Sequence, residues 1–239
     1  MARKVIVQNK EDGEYLKTKL FAISSKIELI PGSGVDIEKF KASKEAKENQ
    51  LKKKLGIAPD TVVLTFVSRL IRQKGIEELL TAMKELSTSS YSNQVALTVV
   101  GDVDTFNPHS VGADIFERNV PNVFFLRERN DIQSILEDSD GFILPTYYRE
   151  GIPRSILEAM SMSMPIISTN VPGCNAVVKN GVNGYMIEPR DSEKIKEAII
   201  QLLSADRLSM GDESRKIIEE NYSVEKINYQ YLNLYNSIL

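Results

Sequence analysis

Five short, almost wholly apolar runs, VVLTFVS, VALTVVG, NVFFLR, GFILP and PIIST, recur in that order between residues 62 and 169. Strands without a polar alternation have both faces covered, which is the condition of a parallel sheet with helices on either side. The segments between the runs can supply those helices. Residues 75–87 are amphipathic, 130–139 read as a short helix, 155–162 as the core of another, and DVDTFNPHSVGADIFERN as a loop with a helical stretch. GYMIEP adds a sixth, edge-like strand, and 191–203 and 224–239 read as helices. The expected class is therefore α/β, a parallel sheet with helices on both faces. Right-handed crossovers gather the loops that follow the strands along one edge, where such sheets bind ligands.

At 239 residues and 42% hydrophobic, the chain can bury a sizeable core. Charged residues make up 26% and the formal charge is -3, which leaves no broad basic field for nucleic acid. Cys174 is the only cysteine, so no internal disulfide can form. No stretch approaches the ~18 apolar residues that span a bilayer, and the apolar run in MARKVIVQNK is too short for export. Residues 1–30 read as strand KVIVQN, a helix over 11–21 and strand KIELIP, a piece with little of its own to bury against that should lean on the next domain. PGSGVD then turns the chain, with Gly32 and Gly34 able to take positive φ or allow close backbone approach. The charged segment 37–56 has a helical pattern whose lysines read as a solvated face.

Four loops should meet at the ligand edge: SRLIRQKG, GDVD, LRERND and PTYYREG. The first carries Arg69 and Lys74, at a spacing that lets both cations reach one diphosphate, with the arginine able to make a forked contact. Plain surface charge is the alternative. In the stretch 146–170, TYYREGIPRSILEAMSMSMPIISTN, Glu150 occupies the mouth of a strand-to-helix turn. Glu158 follows on a helix whose Ile156, Leu157, Met160 and Met164 recur at helical spacing. If that helix begins near 153–155, its unpaired N–H groups face the same space as the two acids, which suits a ligand with both phosphates and sugar hydroxyls. An acidic turn with a solvent-facing Glu158 is the alternative. Neither a G-x-G-x-x-G fingerprint after the first main strand nor a G-x-x-x-x-G-K-[ST] loop is present, and His109 and Cys174 belong to no ligand-spaced cluster. Asp102 and Asp104 read as a polar loop near the ligand before a magnesium site. His109 has no identifiable catalytic partner, and Cys174 reads as a small buried or pocket-wall hydrophobe.

The run EGIPRSILEAMSMSMPIISTNVPGCNAVVKNGVNGYMIEPRD resembles the donor-binding signature of retaining GT-B-type glycosyltransferases of family 4, the glycosyl transferases group 1. Many bacterial capsule, lipopolysaccharide and glycan-assembly enzymes belong there. IELIPGSGVDIEKF resembles that family's interdomain connection, FVSRLIRQKGIEELLTA its first donor-phosphate loop and NVFFLRERNDIQSIL its base-binding region. The resemblance implies a Rossmann-like sheet forming the carboxy-terminal half of a GT-B fold. It divides the chain into a remnant of the acceptor domain with the interdomain connection (1–36), a nucleotide-sugar donor domain (37–218) and a crossover helix (219–239) that packs on the amino-terminal domain. By the same resemblance Arg69 and Lys74 hold the diphosphate and offset charge as the nucleoside diphosphate leaves. Glu150 faces the donor sugar, and together with these two cations forms the catalytic set. Glu158 accepts hydrogen bonds from the ribose. The backbone N–H groups of Gly151, Ile152 and Arg154 lie by the sugar and phosphates, Pro153 having none to give. Leu126 and Arg127 border the base, and Gly34 shapes the cleft floor.

The implied chemistry needs no cofactor and no metal; the nucleotide sugar, a UDP-sugar by preference, is the substrate. A glycan or lipid-linked acceptor is engaged only with the acceptor domain, most of which is absent, so the chain alone should bind donor and transfer poorly or not at all. The implied location is the cytoplasm, peripheral at the inner membrane face in the full-length protein, with exposed interdomain surface predicting self-association. Departures from the family pattern stand at Ser163 and Met164, where a small residue and glycine are usual, and at Asn175 and Ala176, where a polar or acidic pair is common. Two rival readings remain: a sugar-nucleotide epimerase or phosphorylase of the same architecture, and a non-catalytic nucleotide-sugar-binding module or degenerate partner subunit.

Overall fold

The amino-terminal piece forms a small sheet of its own. In the computed structural model, which describes residues 3–19, 21–43 and 49–239, strand Val5–Val7 (β1) leads through helix Lys10–Lys19 (α1) to strand Ile27–Leu29 (β2). The two strands pair in parallel, Val5 opposite Ile27. Of the helical pattern over 37–56, only Gln50–Leu55 (α2) is a helix among the described residues; residues 44–48 lie outside them. Asp36 diverts the start of that pattern into a turn, its Oδ1 accepting from the N–H groups of Glu38 at 3.1 Å and Lys39 at 2.9 Å. A side-chain acceptor competing for local backbone donors is a common reason for a helical pattern to fail.

The main sheet follows the apolar runs. Val62–Val67 (β3) leads through helix Ile76–Ser87 (α3) to Val95–Val100 (β4), a loop connection leads on to Val123–Arg127 (β5), and Ile132–Glu137 (α4) leads to Gly141–Leu144 (β6). Helix Arg154–Ser161 (α5), strands Ile166–Thr169 (β7) and Gly184–Ile187 (β8) and helix Ser192–Leu203 (α6) complete the alternation. All pairings are parallel, in the order β5-β4-β3-β6-β7-β8, which makes β8 an edge strand as its sequence suggests. Every residue of β4 is buried. The hydroxyls that the central strands bury are partnered: Thr65 Oγ1 lies 2.6 Å from both Thr98 Oγ1 and Ser139 Oγ. α3 packs against α6, and α5 against helix Arg207–Asn221 (α7).

α7 is the one long helix that the sequence pattern does not announce, since Gly211 interrupts it and its composition is polar. The glycine is there because a Cβ would overlap the carbonyl oxygen of Ser163 at the end of α5. From α7, Arg215 Nη1 donates to the carbonyl oxygens of Ile37 at 3.1 Å, Phe40 at 3.0 Å and Ser161 at 2.8 Å, tying the 36–40 turn to α5. The helical stretch expected within 102–119 is only the 3₁₀ turn Ala113–Glu117. The last helix, Val224–Ile238 (α8), buries Ile227 and leaves Tyr229, Leu232 and Tyr235 exposed. Among the described residues no helix is long and apolar enough to cross a membrane.

Candidate functional site

Strand order decides where a site can form. From β3 the chain steps outward through β4 to β5, whereas β6, β7 and β8 extend from the other side of β3. The crevice between the carboxyl ends of β3 and β6 is thus the switch point of the sheet. The loops that follow these two strands carry Arg69 with Lys74, and Glu150. Gly75 ends the 3₁₀ turn Arg72–Lys74 at a φ of +77°, and a Cβ there would overlap the carbonyl of Pro145, so the loops lie backbone to backbone. Gln73 O accepts from Tyr147 N–H at 2.9 Å and from Thr146 Oγ1 at 3.0 Å. Held in this way, Lys74 Nζ donates directly to Glu150 Oε1, with both side chains largely buried, 11% and 16% exposed. Thr146 Oγ1 lies 3.4 Å from the same carboxylate oxygen, and Lys74 Nζ sits 5.7 Å from the centre of the Tyr148 ring. Removing either partner would leave the other's charge buried without compensation.

The loop that carries Glu150 also touches the small sheet. Asn9 Nδ2 donates to the carbonyl oxygen of Glu150 at 3.1 Å, and Arg149 Nε to Asp12 Oδ1 at 2.6 Å. The piece 1–30 therefore leans on the main domain at the site itself, at a residue that sequence reasoning did not single out.

Glu158 stands two turns along the same connection, on α5. Its side chain is 13% exposed, Arg154 Nε donates to its Oε1 at 2.9 Å, and burial raises its carboxyl above the usual range against the opposing pull of Arg154 and Lys39. It faces a cleft of about 460 Å³ lined by Lys39, Phe40, Asn130, Asp131, Gln133 and Glu158 among others. A larger cavity, about 720 Å³, lies at the opposite edge, by the amino ends of β6 and β7, with Asp140 and Pro165 in its wall. The alternation α3, α5 and α6 on this sheet puts no anticipated site residue there.

The other anticipated residues spread around this centre. Arg69 is directed outward, 67% exposed, with its Nη1 2.8 Å from Asp104 Oδ2, so the two cations have separate anionic partners. Leu126 is half-buried at the end of β5, and Arg127 takes a φ of +60° where the β4–β5 register shifts. Its guanidinium stacks 3.7 Å from the Phe116 ring centre, with Nε 3.2 Å from Asp102 Oδ2. Asp102 and Asp104 thus hold arginines. Gly34, at a φ of +73°, is required by packing: a Cβ would stand 2.8 Å from Val224 Cα at the start of α8. Ile152 is buried and Pro153 precedes the first turn of α5, in which the N–H groups of Arg154 and Ser155 have no intrahelical acceptor. His109 lies exposed on its loop. Cys174 is fully buried, and burial pushes its thiol up to about 12, in keeping with a packing residue. At the departures, Ser163 takes a φ of +56° as α5 ends, Met164 is buried, Ala176 is exposed, and Asn175 Oδ1 is buried without a partner among the described residues.

The chain as a whole is similar to several known proteins. The chain is 31% identical over 209 residues to the capsular polysaccharide biosynthesis glycosyltransferase CapM of Staphylococcus aureus, covering 87% of the chain and 53% of that protein. It is 31% identical over 237 residues to the UDP-Gal:alpha-D-GlcNAc-diphosphoundecaprenol alpha-1,3-galactosyltransferase of Escherichia coli, covering 97% and 60%. Anabaena HepE, solved in complex with UDP, superposes with a TM-score of 0.86 at 22% identity, covering 99% of the chain and 64% of that structure. The chain therefore spans little more than half the length of these relatives, and its fold is that of the carboxy-terminal half of a GT-B protein. The glycosyl transferases group 1 domain matches residues 47–224, from before α2 to the start of α8, and so takes in the whole main sheet and both Glu150 and Glu158. The chain belongs to the glycosyl transferases group 1 family.

Proposed function

We propose that the chain is the donor side of a retaining glycosyltransferase that takes a sugar from a nucleoside-diphosphate sugar, a UDP-sugar by preference, to a glycan or lipid-linked acceptor. The observation that carries this reading is the meeting of Lys74 and Glu150 at the switch point, with a largely buried Glu158 on the helix that follows, facing a cleft. In it, Lys74 takes the diphosphate, and Arg69, held only at an exposed ion pair, turns in to share that charge as the nucleoside diphosphate leaves. Glu150 meets the sugar and Glu158 the ribose, with the backbone N–H groups of Gly151, Ile152 and Arg154 along the sugar and phosphates. Leu126 and Arg127 border the base, and Gly34 holds the floor through α8. HepE structures with UDP and with UDP-glucose, and the UDP-galactose use in the name of the E. coli relative, support the choice of carrier.

Acceptor binding falls to the part of the relatives' length that this chain does not match. In this reading residues 1–36 belong to the acceptor side, 37–218 form the donor domain, and α8 with its exposed Tyr229, Leu232 and Tyr235 crosses back to the acceptor side or, without it, drives self-association. The whole protein works in the cytoplasm at the inner membrane face, and transfer proceeds without metal because Arg69 and Lys74 neutralise the leaving group. Titration with uridine and guanosine diphosphate sugars tests the reading. Saturable binding that persists in EDTA supports it, and no binding to any nucleotide sugar overturns it. Glu158→Ala should weaken nucleotide binding about tenfold, the loss of roughly 1.4 kcal/mol of ribose hydrogen bonding. An unchanged affinity would return Glu158 to an ordinary surface role.

A further inference from the structure

We infer that Asn9, in the small amino-terminal unit, is a positioning residue for the Glu150 loop of the donor site, gripping the backbone on which Glu150 stands. This rests on the reading of Glu150 just given. Asn9 is 2% exposed, and each polar atom of its side chain is committed. Its Oδ1 accepts from the N–H of Asp12 at 2.8 Å and so caps α1. Its Nδ2 donates to Glu150 O at 3.1 Å, with Gly151 O at 3.3 Å and Asp12 Oδ2 at 2.9 Å. One side chain thus starts a helix in one unit and holds two successive carbonyls in the other.

The rest of the loop is closed around that grip. A Cβ on Gly151 would overlap the Gln8 side chain, and a Cβ on Gly173 would overlap Gly151 O and stand 2.7 Å from Glu150 O. Residues 150–151 therefore lie between Gln8 at the first strand's end and the turn after β7, where the backbone at Gly173 leaves no room for a side chain. Arg149 adds its contact to Asp12, so α1 and the loop are joined at two points. On this backbone the Glu150 carboxylate meets Lys74 Nζ and Thr146 Oγ1. Movement of the amino-terminal unit is transmitted to the acid through Asn9, which gives the unit control over how the donor sugar is met.

Two variants separate the grip from the cap. Asn9→Ser keeps a capping oxygen but is too short to reach the loop, and Asn9→Asp keeps the shape and the cap but has no N–H to donate. Hydrogen exchange of the ligand-free chain reads the loop directly. Both variants should speed exchange across 149–152 while the Asp12 amide stays as protected as in the parent; unchanged exchange at 149–152 in both overturns the proposal. Calorimetry with UDP and with UDP-glucose then reads function. The expected result is a loss of roughly five- to tenfold in UDP-glucose affinity with UDP affinity within about twofold, the size of one or two hydrogen bonds. Equal losses for the two ligands would overturn the positioning role and leave a merely structural one. If the parent chain binds neither probe nor any other nucleotide sugar, the donor-site reading fails, while the exchange measurement still decides whether Asn9 holds the loop.

Discussion

Glu150 and Glu158 stand eight residues apart on one connection, yet they are held by different means. Glu158 is placed by its own helix: Ile156, Leu157 and Met160 bury one face of α5, and its nearest partner, Arg154, lies one turn earlier. Glu150 is placed by distant chain. Lys74 comes from the loop after β3, Asn9 from the amino-terminal unit and Gly173 from the turn after β7. A local arrangement survives wherever the helix survives, whereas the arrangement around Glu150 exists only when the sheet has assembled. The first acid should therefore report on tertiary integrity and the second on local electrostatics.

Three substitutions test that contrast. The largest effect is expected from Glu150→Ala, which leaves the Lys74 ammonium buried without its counter-ion. Unfolding in urea should show a loss of about 2 to 3 kcal/mol, below the cost of a fully buried pair because both ends keep some solvent. A midpoint equal to the parent's would show that the pair does not hold the two loops together. Glu158→Gln comes next and appears only as a pH effect. Burial raises this carboxyl, so from the ordinary carboxylate range up to the raised value the folded chain keeps a proton that the unfolded chain has lost. Stability falls as pH rises through that interval. The glutamine variant should lack this fall, and parallel pH profiles for the two proteins would refute the assignment to Glu158. Smallest is Ser163→Gly at the end of α5. Relieving a left-handed serine should raise stability by about 0.5 kcal/mol, after the entropy that glycine adds to the unfolded chain. The nucleotide affinity should not move, and a change in it would mean that the helix end reaches the site.

The same contrast describes what could be read from residue order alone. Strands β3 to β8 are legible because a parallel strand covered on both faces is apolar at most positions, and α3, α5, α6 and α8 because one-sided burial imprints a helical period. α7 escapes because Gly211 answers to the Ser163 carbonyl and to nothing in its own helix. The start of the 37–56 pattern misleads because lysine-rich segments score as helix whether or not Asp36 has captured the turn, while Gln50–Leu55 at its end is helical. Within the site, the residue types at Arg69, Lys74, Glu150 and Glu158 and the edge on which they fall were legible. The pairing of Lys74 with Glu150, the outward turn of Arg69 onto Asp104 and the grip of Asn9 were not.

By itself, then, the sequence determined the α/β class, the sheet edge at which the charged loops gather and the family, since each is written in period, residue type and local spacing. The tertiary structure alone decided the strand order that creates the switch point, and with it which cation meets which acid. It also made the amino-terminal unit a neighbour of Glu150. Those contacts join residues 76 and 141 positions apart. No local pattern encodes such a contact, because its geometry depends on how every intervening element packs.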